Sequence, residues 1–285
     1  MKVLHFTHPV HAEASLTAYI LDCELAYGQD TDRPAVVICP GGGYLYCSPR
    51  EGEPLALAYA ARGFHTFVLN YSVQYATAGF TPLEEVSWAV GLLREHAAEW
   101  HLVPHQIAVC GFSAGGHLAL ASGTLAENKA DALILGYPMG SVANKENQFF
   151  AQMLLGKPNP TEEDLAKLDA FGNIDGNAPP AFLFGTMEDR LTPYGALAIA
   201  NAYTRAGVDY ELHLFQFGPH GLALATAESA DGSIQGIDPR FAQWHELSVS
   251  WLRKIFGEPQ FVDKDTSKIG QCLKEMGLSL PKPGR

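Results

Sequence analysis

At residues 111–116 the sequence reads Gly111-Phe112-Ser113-Ala114-Gly115-Gly116, which has the form G-x-S-x-G. This stretch follows a short apolar run, Ile107–Cys110, and leads into a helical pattern. A serine on such a strand-to-helix turn is held in a strained backbone conformation that exposes its hydroxyl group. Side chains at positions 111 and 115 would collide as strand and helix approach, so glycine is needed at both. The motif predicts a nucleophilic Ser113; the alternative is an incidental serine in a glycine-rich turn.

Short apolar runs alternate with helical patterns over about residues 35–256. The predicted strands are Ala35–Cys39, His65–Leu69, Ile107–Cys110, Ala132–Gly136, Ala181–Thr186 and Tyr210–Phe215. The predicted helices are Glu53–Arg62, Leu83–Glu99, Gly115–Ala126, Tyr194–Arg205 and Phe241–Phe256. Continuously apolar strands between helices are typical of a parallel sheet covered on both faces. The sequence therefore predicts an α/β fold with a mainly parallel sheet, and Leu4–Thr7 and Ala18–Glu24 as antiparallel edge strands.

The 285 residues fit a single domain in which two segments interrupt the alternation of strands and helices. Residues 139–180 are rich in Asn, Pro, Gly and charge, and they hold one predicted helix, Glu162–Leu168, begun by Thr161. An insertion of this size after a strand predicts a cap over the carboxyl ends of the strands. Residues 257–285 form a predicted C-terminal extension with a short helix at Asp265–Met276 and a frayed tail.

Charge and composition argue against several classes of function. The net charge of −12 disfavours binding to nucleic-acid phosphates and to anionic membranes. No apolar run approaches roughly 18 residues and the N-terminal residues lack a signal-peptide pattern, so we expect no membrane span and no leader. Five scattered cysteines without a C-x-x-C pair favour buried free thiols in a reducing compartment. We therefore expect a cytoplasmic protein, and we leave open whether it forms a homo-oligomer.

Two later motifs supply partners for a nucleophilic serine, which needs a base and an acid to orient that base. The stretch Gly185–Asp189 closes one predicted strand with two adjacent carboxylates, Glu188 and Asp189. The stretch Phe217–Leu222 follows the next strand, and glycine and proline around His220 make a loop that can bring an imidazole to the site. Serine, carboxylate and histidine each follow a strand, which predicts a catalytic triad. Asp175 is a further carboxylate, in the predicted cap.

The fourth element is the run Pro40-Gly41-Gly42-Gly43-Tyr44, directly after the first parallel strand. Glycine lets backbone N–H groups turn inward without a Cβ atom in the way. With the amide of Ala114, those of Gly42 and Gly43 are predicted to receive the oxyanion of a tetrahedral intermediate. The alternatives are a flexible turn or a phosphate loop, but the spacing and the lysine of a phosphate loop are missing.

Taken together, the stretches PGGGY, GFSAGG, GTMEDRLTP and FGPHGL resemble the α/β-hydrolase superfamily, over roughly residues 18–256. Within it they look most like the bacterial carbohydrate esterases, among which are acetyl-xylan esterases and feruloyl esterases. The resemblance implies an α/β-hydrolase fold with Ser113 as nucleophile, His220 as base and Asp189, rather than Glu188, as acid. It also implies an oxyanion hole made by the amides of Gly42, Gly43 and Ala114.

Five tyrosines follow strands at the predicted rim of the site: Tyr44, Tyr46, Tyr71, Tyr75 and Tyr137. Tyrosine can both stack and donate a hydrogen bond, which suits a sugar or an aryl ligand, and we predict substrate contacts for Tyr44, Tyr71 and Tyr137. Ordinary packing at strand ends is the alternative. Three histidines recur every third residue at 5, 8 and 11, but Pro9 breaks regular structure there, so we predict no metal site and no cofactor.

The expected activity is hydrolysis of a short-acyl ester, such as the acetyl ester of a sugar or of a xylo-oligosaccharide, through an acyl-enzyme. The only expected partner is this small-molecule substrate, with no nucleic acid and no membrane. A feruloyl esterase or a broad carboxylesterase is the nearest alternative. A small peptidase of the prolyl-oligopeptidase type and a non-catalytic binding protein with a hydrolase fold are the more distant ones.

Overall fold

A computed structural model describes residues 1–23, 32–142, 147–258 and 268–279. The described strands are β1 (Lys2–Thr7), β2 (Ser15–Ile20), β3 (Arg33–Cys39), β4 (His65–Asn70), β5 (Leu102–Phe112), β6 (Ala132–Gly136), β7 (Ala181–Thr186) and β8 (Tyr210–Phe215). The described helices are α1 (Glu53–Ala60), α2 (Thr81–Glu95), α3 (Ala97–Trp100), α4 (Ala114–Thr124), α5 (Gln148–Leu155), α6 (Glu162–Ala166), α7 (Gly195–Ala206), α8 (Gln243–Phe256) and α9 (Lys268–Glu275).

All the described strands form one sheet in the order β1-β2-β4-β3-β5-β6-β7-β8. Strands β3 to β8 run parallel to one another, whereas β1 and β2 pair antiparallel at one edge. The predicted α/β fold with a mainly parallel sheet is therefore confirmed. The chain builds outward in one direction from β3 and in the other from β5, so a crevice opens between the carboxyl ends of these two strands.

Strand β3 explains how the sheet is covered. Successive side chains of a strand point to opposite faces, and every residue of Ala35–Cys39 is buried. Val37 and Cys39 pack into the core that α2, α4 and α7 cover. Val36 and Ile38 pack into the core on the other face, beneath α1 and α8. Burial on both faces removes any polar position from this strand, which is why its sequence is continuously apolar.

Some predicted boundaries differ from the structure. The predicted helix Leu83–Glu99 is two helices, α2 and α3, separated at His96, whose backbone leaves the helical range. The second edge strand lies at Ser15–Ile20 rather than Ala18–Glu24, and Glu24 is outside the described residues. The predicted helix Asp265–Met276 is α9, and residues 265–267 and the end of the tail also lie outside.

The segment 139–180 contains two described helices, so the prediction of one helix was wrong. The predicted one is α6, where Thr161 and Asp164 form a capping box. The missed one is α5, which buries Ala151 and Leu154 and ends at Gly156 in the left-handed region. Glycine followed by Lys157-Pro158 is an ordinary helix stop, so the sequence did contain a signal for its end.

The cysteines and the helices bear on two further expectations. Cys23, Cys39, Cys47, Cys110 and Cys272 are free thiols, and Cys39 and Cys110 are buried in adjacent strands. In the described ranges, none of the helices combines the length and the apolar character that crossing a membrane requires.

Candidate active site

Ser113 stands at the sharp turn between β5 and α4, with φ 54° and ψ −117°. A Cβ atom on Gly111 would lie 2.0 Å from the carbonyl oxygen of Gly115. A Cβ atom on Gly115 would lie 2.1 Å from the carbonyl oxygen of Cys39, on the neighbouring strand β3. The two glycines therefore allow strand and helix to approach as the sequence predicts, and the turn holds Ser113 in a strained conformation.

The structure brings Ser113, His220 and Asp189 into one hydrogen-bonded chain. Nε2 of His220 lies 2.9 Å from Oγ of Ser113. Nδ1 of His220 lies 2.7 Å from Oδ2 of Asp189. Because these residues follow β5, β8 and β7, their side chains meet at the carboxyl ends of parallel strands. This is the geometry in which a histidine can accept a proton from the serine hydroxyl while the carboxylate orients the ring.

Asp189 is 4% exposed and accepts several hydrogen bonds. Its Oδ1 receives the backbone N–H groups of Leu191 and Thr192 at 2.8 and 3.0 Å, and its Oδ2 receives the Thr192 hydroxyl at 2.7 Å. Burial opposes ionisation, but the hydrogen bonds from His220 and Thr192 outweigh it and lower the pKa of Asp189 to about 2. The carboxylate is therefore ionised at neutral pH, as an orienting acid must be.

The other two candidate carboxylates lie elsewhere. Glu188 is exposed, and its Oε2 accepts the backbone N–H of Gly218 at 3.0 Å. Asp175 is exposed in the segment 139–180 and bonds to Asn177. Of the three, Asp189 alone contacts His220, which agrees with the choice made from the family resemblance.

The loop after β3 lies against Ser113. Gly42 and Gly43 line the cavity that contains Ser113, and both have positive φ angles, 127° and 63°. Within the described residues, no backbone or side-chain acceptor receives the amide of Gly42 or of Gly43. Ala114 is the first residue of α4, where helix N–H groups favour negative charge. The amide of Gly41 is different, since it donates to Oε2 of Glu51 at 2.8 Å.

The three tyrosines predicted to touch substrate are buried, and that prediction needs correction. Tyr44 is fully buried beneath the glycine loop, with its hydroxyl 2.8 Å from Nδ1 of His117. The Tyr71 hydroxyl donates to the carbonyl oxygen of Pro40 at 2.6 Å. The Tyr137 hydroxyl donates to Oε1 of Glu51 at 2.5 Å. Burial raises the pKa of all three hydroxyls well above the usual value. They support the loops around Ser113 from behind.

Other side chains line the cavity, whose volume is about 330 Å³. Tyr46, one of the five tyrosines expected at the rim, is 58% exposed and lines this cavity. Three more lining residues, Met139, Asn147 and Phe150, come from the segment 139–180. This segment therefore forms part of the cavity wall.

A second cavity of about 490 Å³ is lined by chain neighbours of residues that line the first. Leu45 and Phe149 line it, and their chain neighbours Tyr46 and Phe150 line the cavity around Ser113. Tyr75 stands at its edge and is 93% exposed. Sequence neighbours at 45/46 and at 149/150 therefore line different cavities.

Sequence reasoning missed Glu51, a carboxylate that is 3% exposed and lines the Ser113 cavity. The stretch Ser48–Glu53 contains Pro, Arg, Gly and two Glu residues, which is the composition of an exposed turn. No pattern in it separates the buried carboxylate from the exposed Glu53. The burial of Glu51 follows from the path of the loop, which folds it back under Gly41.

The N-terminal histidines form no metal centre in the structure. His8 and His11 stack at 4.6 Å, and Nε2 of His11 lies 3.1 Å from Oε2 of Glu84. Among the described residues there is no group of three or more His, Cys, Asp or Glu side chains that could hold a metal ion.

Comparison with known proteins identifies several similar sequences. A family model described as BD-FAE matches residues 21–148, and the model of the prolyl oligopeptidase family matches residues 89–234. An endo-1,4-beta-xylanase B of Butyrivibrio fibrisolvens is 30% identical over 72% of this chain and 35% of its own length. An acetylxylan esterase of Xylanibacter ruminicola is 28% identical over 67% of this chain and 42% of its own length. The chain thus spans less than half the length of either relative.

Solved structures match over nearly the whole chain. An α/β-hydrolase enzyme, MGS-M1, from a Medee basin deep-sea metagenome library is 34% identical, with a TM-score of 0.79 over 90% of this chain and 99% of its own. An acetyl ester-xyloside bifunctional hydrolase of Caldicellulosiruptor lactoaceticus is 30% identical, with a TM-score of 0.71 over 85% of this chain and 88% of its own. The chain therefore belongs to the α/β-hydrolases, and its match over residues 89–234 assigns it to the prolyl oligopeptidase family among them.

Proposed function

We propose that this protein is a serine carboxylesterase that hydrolyses short-acyl esters, of which acetyl esters of sugars or oligosaccharides are the expected class. The observation that carries the proposal is the unbroken chain of hydrogen bonds from Ser113 through His220 to Asp189, at the base of an open cavity. The names of the relatives agree with it, since an acetylxylan esterase and an acetyl ester-xyloside hydrolase are among them.

In the proposed mechanism, His220 takes the proton from Ser113 as the serine oxygen attacks the ester carbonyl. The backbone amides of Gly42, Gly43 and Ala114 would receive the oxyanion that forms. His220 then protonates the leaving alcohol and, in the second half of the reaction, activates a water molecule. Asp189 keeps the imidazole in the required tautomer and stabilises its protonated form. One missing oxyanion donor costs roughly 3–4 kcal/mol of transition-state stabilisation in such enzymes.

The dimensions of the site favour a small acyl group. A cavity of about 330 Å³ holds the reacting ester and short substituents, with Met139 and Phe150 limiting its extent. We infer that the alcohol portion extends towards the second cavity, because the exposed rings of Tyr75 and Phe149 there suit a pyranose or an aryl ring. The segment 139–180, which supplies part of both walls, then acts as the cap that the sequence predicts.

The experiment is a hydrolysis panel of p-nitrophenyl acetate, p-nitrophenyl butyrate, an aryl ferulate and acetylated xylo-oligosaccharides. We expect the acetyl esters to be cleaved with the highest kcat/KM, and Ser113→Ala to abolish cleavage while leaving the fold intact. Ser122→Ala is the matched control, because Ser122 is a buried serine of helix α4 whose hydroxyl donates to the carbonyl oxygen of Ala119, within the helix. Undiminished turnover by Ser113→Ala would refute the assignment.

The second candidate is a peptidase, which the match to the prolyl oligopeptidase family favours. Ser113, assisted by the same His220 and Asp189, would then attack the carbonyl of an amide. Assaying an aminoacyl-arylamide beside an aryl acetate at matched concentrations separates the two readings. Faster cleavage of the arylamide would replace the esterase proposal, whereas cleavage of the acetate alone would retain it.

A further inference from the structure

Glu51 lies under the cavity with both carboxylate oxygens engaged. Its Oε2 accepts the amide of Gly41 at 2.8 Å, and its Oε1 accepts the hydroxyl of Tyr137 at 2.5 Å. A buried carboxylate is costly unless hydrogen bonds compensate the lost water, so these two contacts must hold this side chain in place. Nothing in the proposed mechanism uses Glu51, although it lines the same cavity as Ser113 and His220.

The first contact fixes the start of the glycine loop. A Cβ atom on Gly41 would lie 2.6 Å from Oε2 of Glu51 and 3.1 Å from Cβ of Ser113, so Gly41 is packed between the two side chains. The following amides, those of Gly42 and Gly43, are the ones left without an acceptor in the described residues. By accepting the N–H of Gly41, Glu51 therefore fixes the point in the loop from which the amides of Gly42 and Gly43 follow.

The second contact reaches the loop that carries His220. The Tyr137 hydroxyl, which donates to Glu51, also accepts the backbone N–H of Ala223 at 2.9 Å. The Tyr137 ring meets the imidazole of His220 edge to face, with centroids 5.0 Å apart. Arg50, next to Glu51 in the chain, donates to the carbonyl oxygen of Gly221 at 3.0 Å. The loop is thus held beyond His220 at residue 221 by Arg50 and at residue 223 by Tyr137, whose hydroxyl is itself held by Glu51.

We propose that Glu51 is a positioning residue that fixes the oxyanion loop and the His220 loop relative to each other across Ser113. This inference rests on the proposed esterase function, because it assigns Glu51 a part in that reaction. Glu51 acts through Gly41 and Tyr137, since both of its oxygens are occupied by them. Its removal loosens two groups that must meet the same tetrahedral intermediate, so transition-state stabilisation falls while ground-state binding of a small ester changes little.

Three variants separate the two contacts. Glu51→Ala leaves the amide of Gly41 and the Tyr137 hydroxyl without their acceptor, and we expect kcat for p-nitrophenyl acetate to fall about 100-fold or more. Glu51→Gln keeps one acceptor oxygen for Gly41, so we expect its kcat to be much closer to that of the wild type. Tyr137→Phe breaks the link to Ala223 and keeps the Gly41 contact. Its decrease in kcat should therefore lie between those of Glu51→Gln and Glu51→Ala.

The matched control is Glu85→Gln. Glu85 is also a fully buried carboxylate with two hydrogen bonds, in its case from the backbone N–H and the hydroxyl of Ser72. Both of these hydrogen bonds come from Ser72, which belongs to neither the glycine loop nor the His220 loop. We expect this variant to lower the unfolding temperature while kcat stays within about twofold of wild type.

The decisive readout is kcat and KM for each variant beside its unfolding temperature. A fall in kcat for Glu51→Ala, partial rescue by Glu51→Gln, unchanged KM and a double variant Glu51→Ala/Tyr137→Phe no worse than Glu51→Ala alone would support the coupling. Wild-type kcat in both Glu51 variants of an active enzyme would overturn this inference alone. A wild-type protein inactive on every ester would overturn the proposed function, and this inference with it.

Discussion

The residues around and beneath Ser113, here called the floor, differ in kind from the exposed residues at the edges of the two cavities, here called the rim. The floor consists of Gly41, Glu51, Ser113 and Asp189, which are buried or tightly packed and held by backbone sterics and hydrogen bonds. The rim consists of Leu45, Tyr46, Tyr75 and Phe149, whose side chains are between 43% and 93% exposed. Each floor residue is held by close packing or by hydrogen bonds from neighbouring residues, whereas the side chains of the rim residues are largely in contact with solvent.

This difference teaches where each property of the site resides. The floor fixes the type of reaction, because small displacements of its residues would break the hydrogen bonds of the triad on which that reaction depends. We expect that the rim can change without loss of the chemistry, because the hydrogen bonds that join the triad involve no rim residue. Under the proposed function, we expect the exposed aromatic side chains of the rim to determine which alcohol is accepted. We therefore expect substitutions in the floor to lower kcat or stability steeply, and substitutions in the rim to change KM for large substrates only.

The largest effect that tests this comparison is expected from Asp189→Asn. Asparagine has one side-chain oxygen where aspartate has two, and its NH2 group cannot accept the Nδ1–H of His220. The substitution therefore favours the wrong imidazole tautomer, so kcat should fall about 10,000-fold. Glu188→Gln is the control, because Glu188 is the adjacent, exposed carboxylate, whose amide form can still accept from Gly218. Steady-state kinetics on p-nitrophenyl acetate measure both. Similar losses in the two variants would mean that Asp189 has no special role.

A smaller effect, on stability, is expected from Gly115→Ala. The new methyl group would lie 2.1 Å from the carbonyl oxygen of Cys39, which is main chain and can move only with β3. We expect the free energy of unfolding to fall by about 3 kcal/mol, despite the better helix propensity of alanine. Urea unfolding measures this, with Gly140→Ala as control because no atom lies within 4 Å of its added Cβ. An unchanged free energy for Gly115→Ala would show that the elbow is not sterically fixed.

The floor could largely be predicted from the sequence, because steric necessity leaves a visible pattern. Glycine at 111 and 115 is required by the close approach of β3, β5 and α4, and the order of Ser113, Asp189 and His220 follows the order of strands in the sheet. The strands themselves were predictable because burial on both faces makes them continuously apolar. Glu51 was the exception, since a charged residue beside proline and glycine resembles a surface turn in any sequence.

The rim could not be predicted because its residues depend on the path of loops. Tyr44 and Tyr46 are two residues apart, yet Tyr44 is fully buried and Tyr46 is 58% exposed. Tyr71 and Tyr75 differ in the same way, at 2% and 93%. Tyr44 has a positive φ of 58°, which turns the chain sharply after the glycine loop. No period of two or of 3.6 describes such a turn, so the sequence pattern gave each tyrosine the same expectation.

The smallest expected effect concerns the rim and decides what it is for. Tyr75→Ala removes an exposed ring from the second cavity and touches none of the floor residues. If a pyranose ring stacks on Tyr75, KM for acetylated xylo-oligosaccharides should rise about 3- to 10-fold, which corresponds to about 1 kcal/mol, while kcat/KM for p-nitrophenyl acetate stays unchanged. Phe149→Ala is expected to act in the same direction, since its ring lines the same cavity.

Ile234→Ala is the matched control for this prediction. Tyr75 lies in a short 3₁₀ helix, Gln74–Thr77. Ile234 is likewise exposed and lies in a short 3₁₀ helix, Ile234–Gly236, but it lines neither cavity. A selective rise in KM for Tyr75→Ala and Phe149→Ala, but not for Ile234→Ala, would assign substrate choice to the rim. If the two aromatic variants instead lose activity on the small aryl acetate as well, the rim takes part in the chemistry, and the division between floor and rim does not hold.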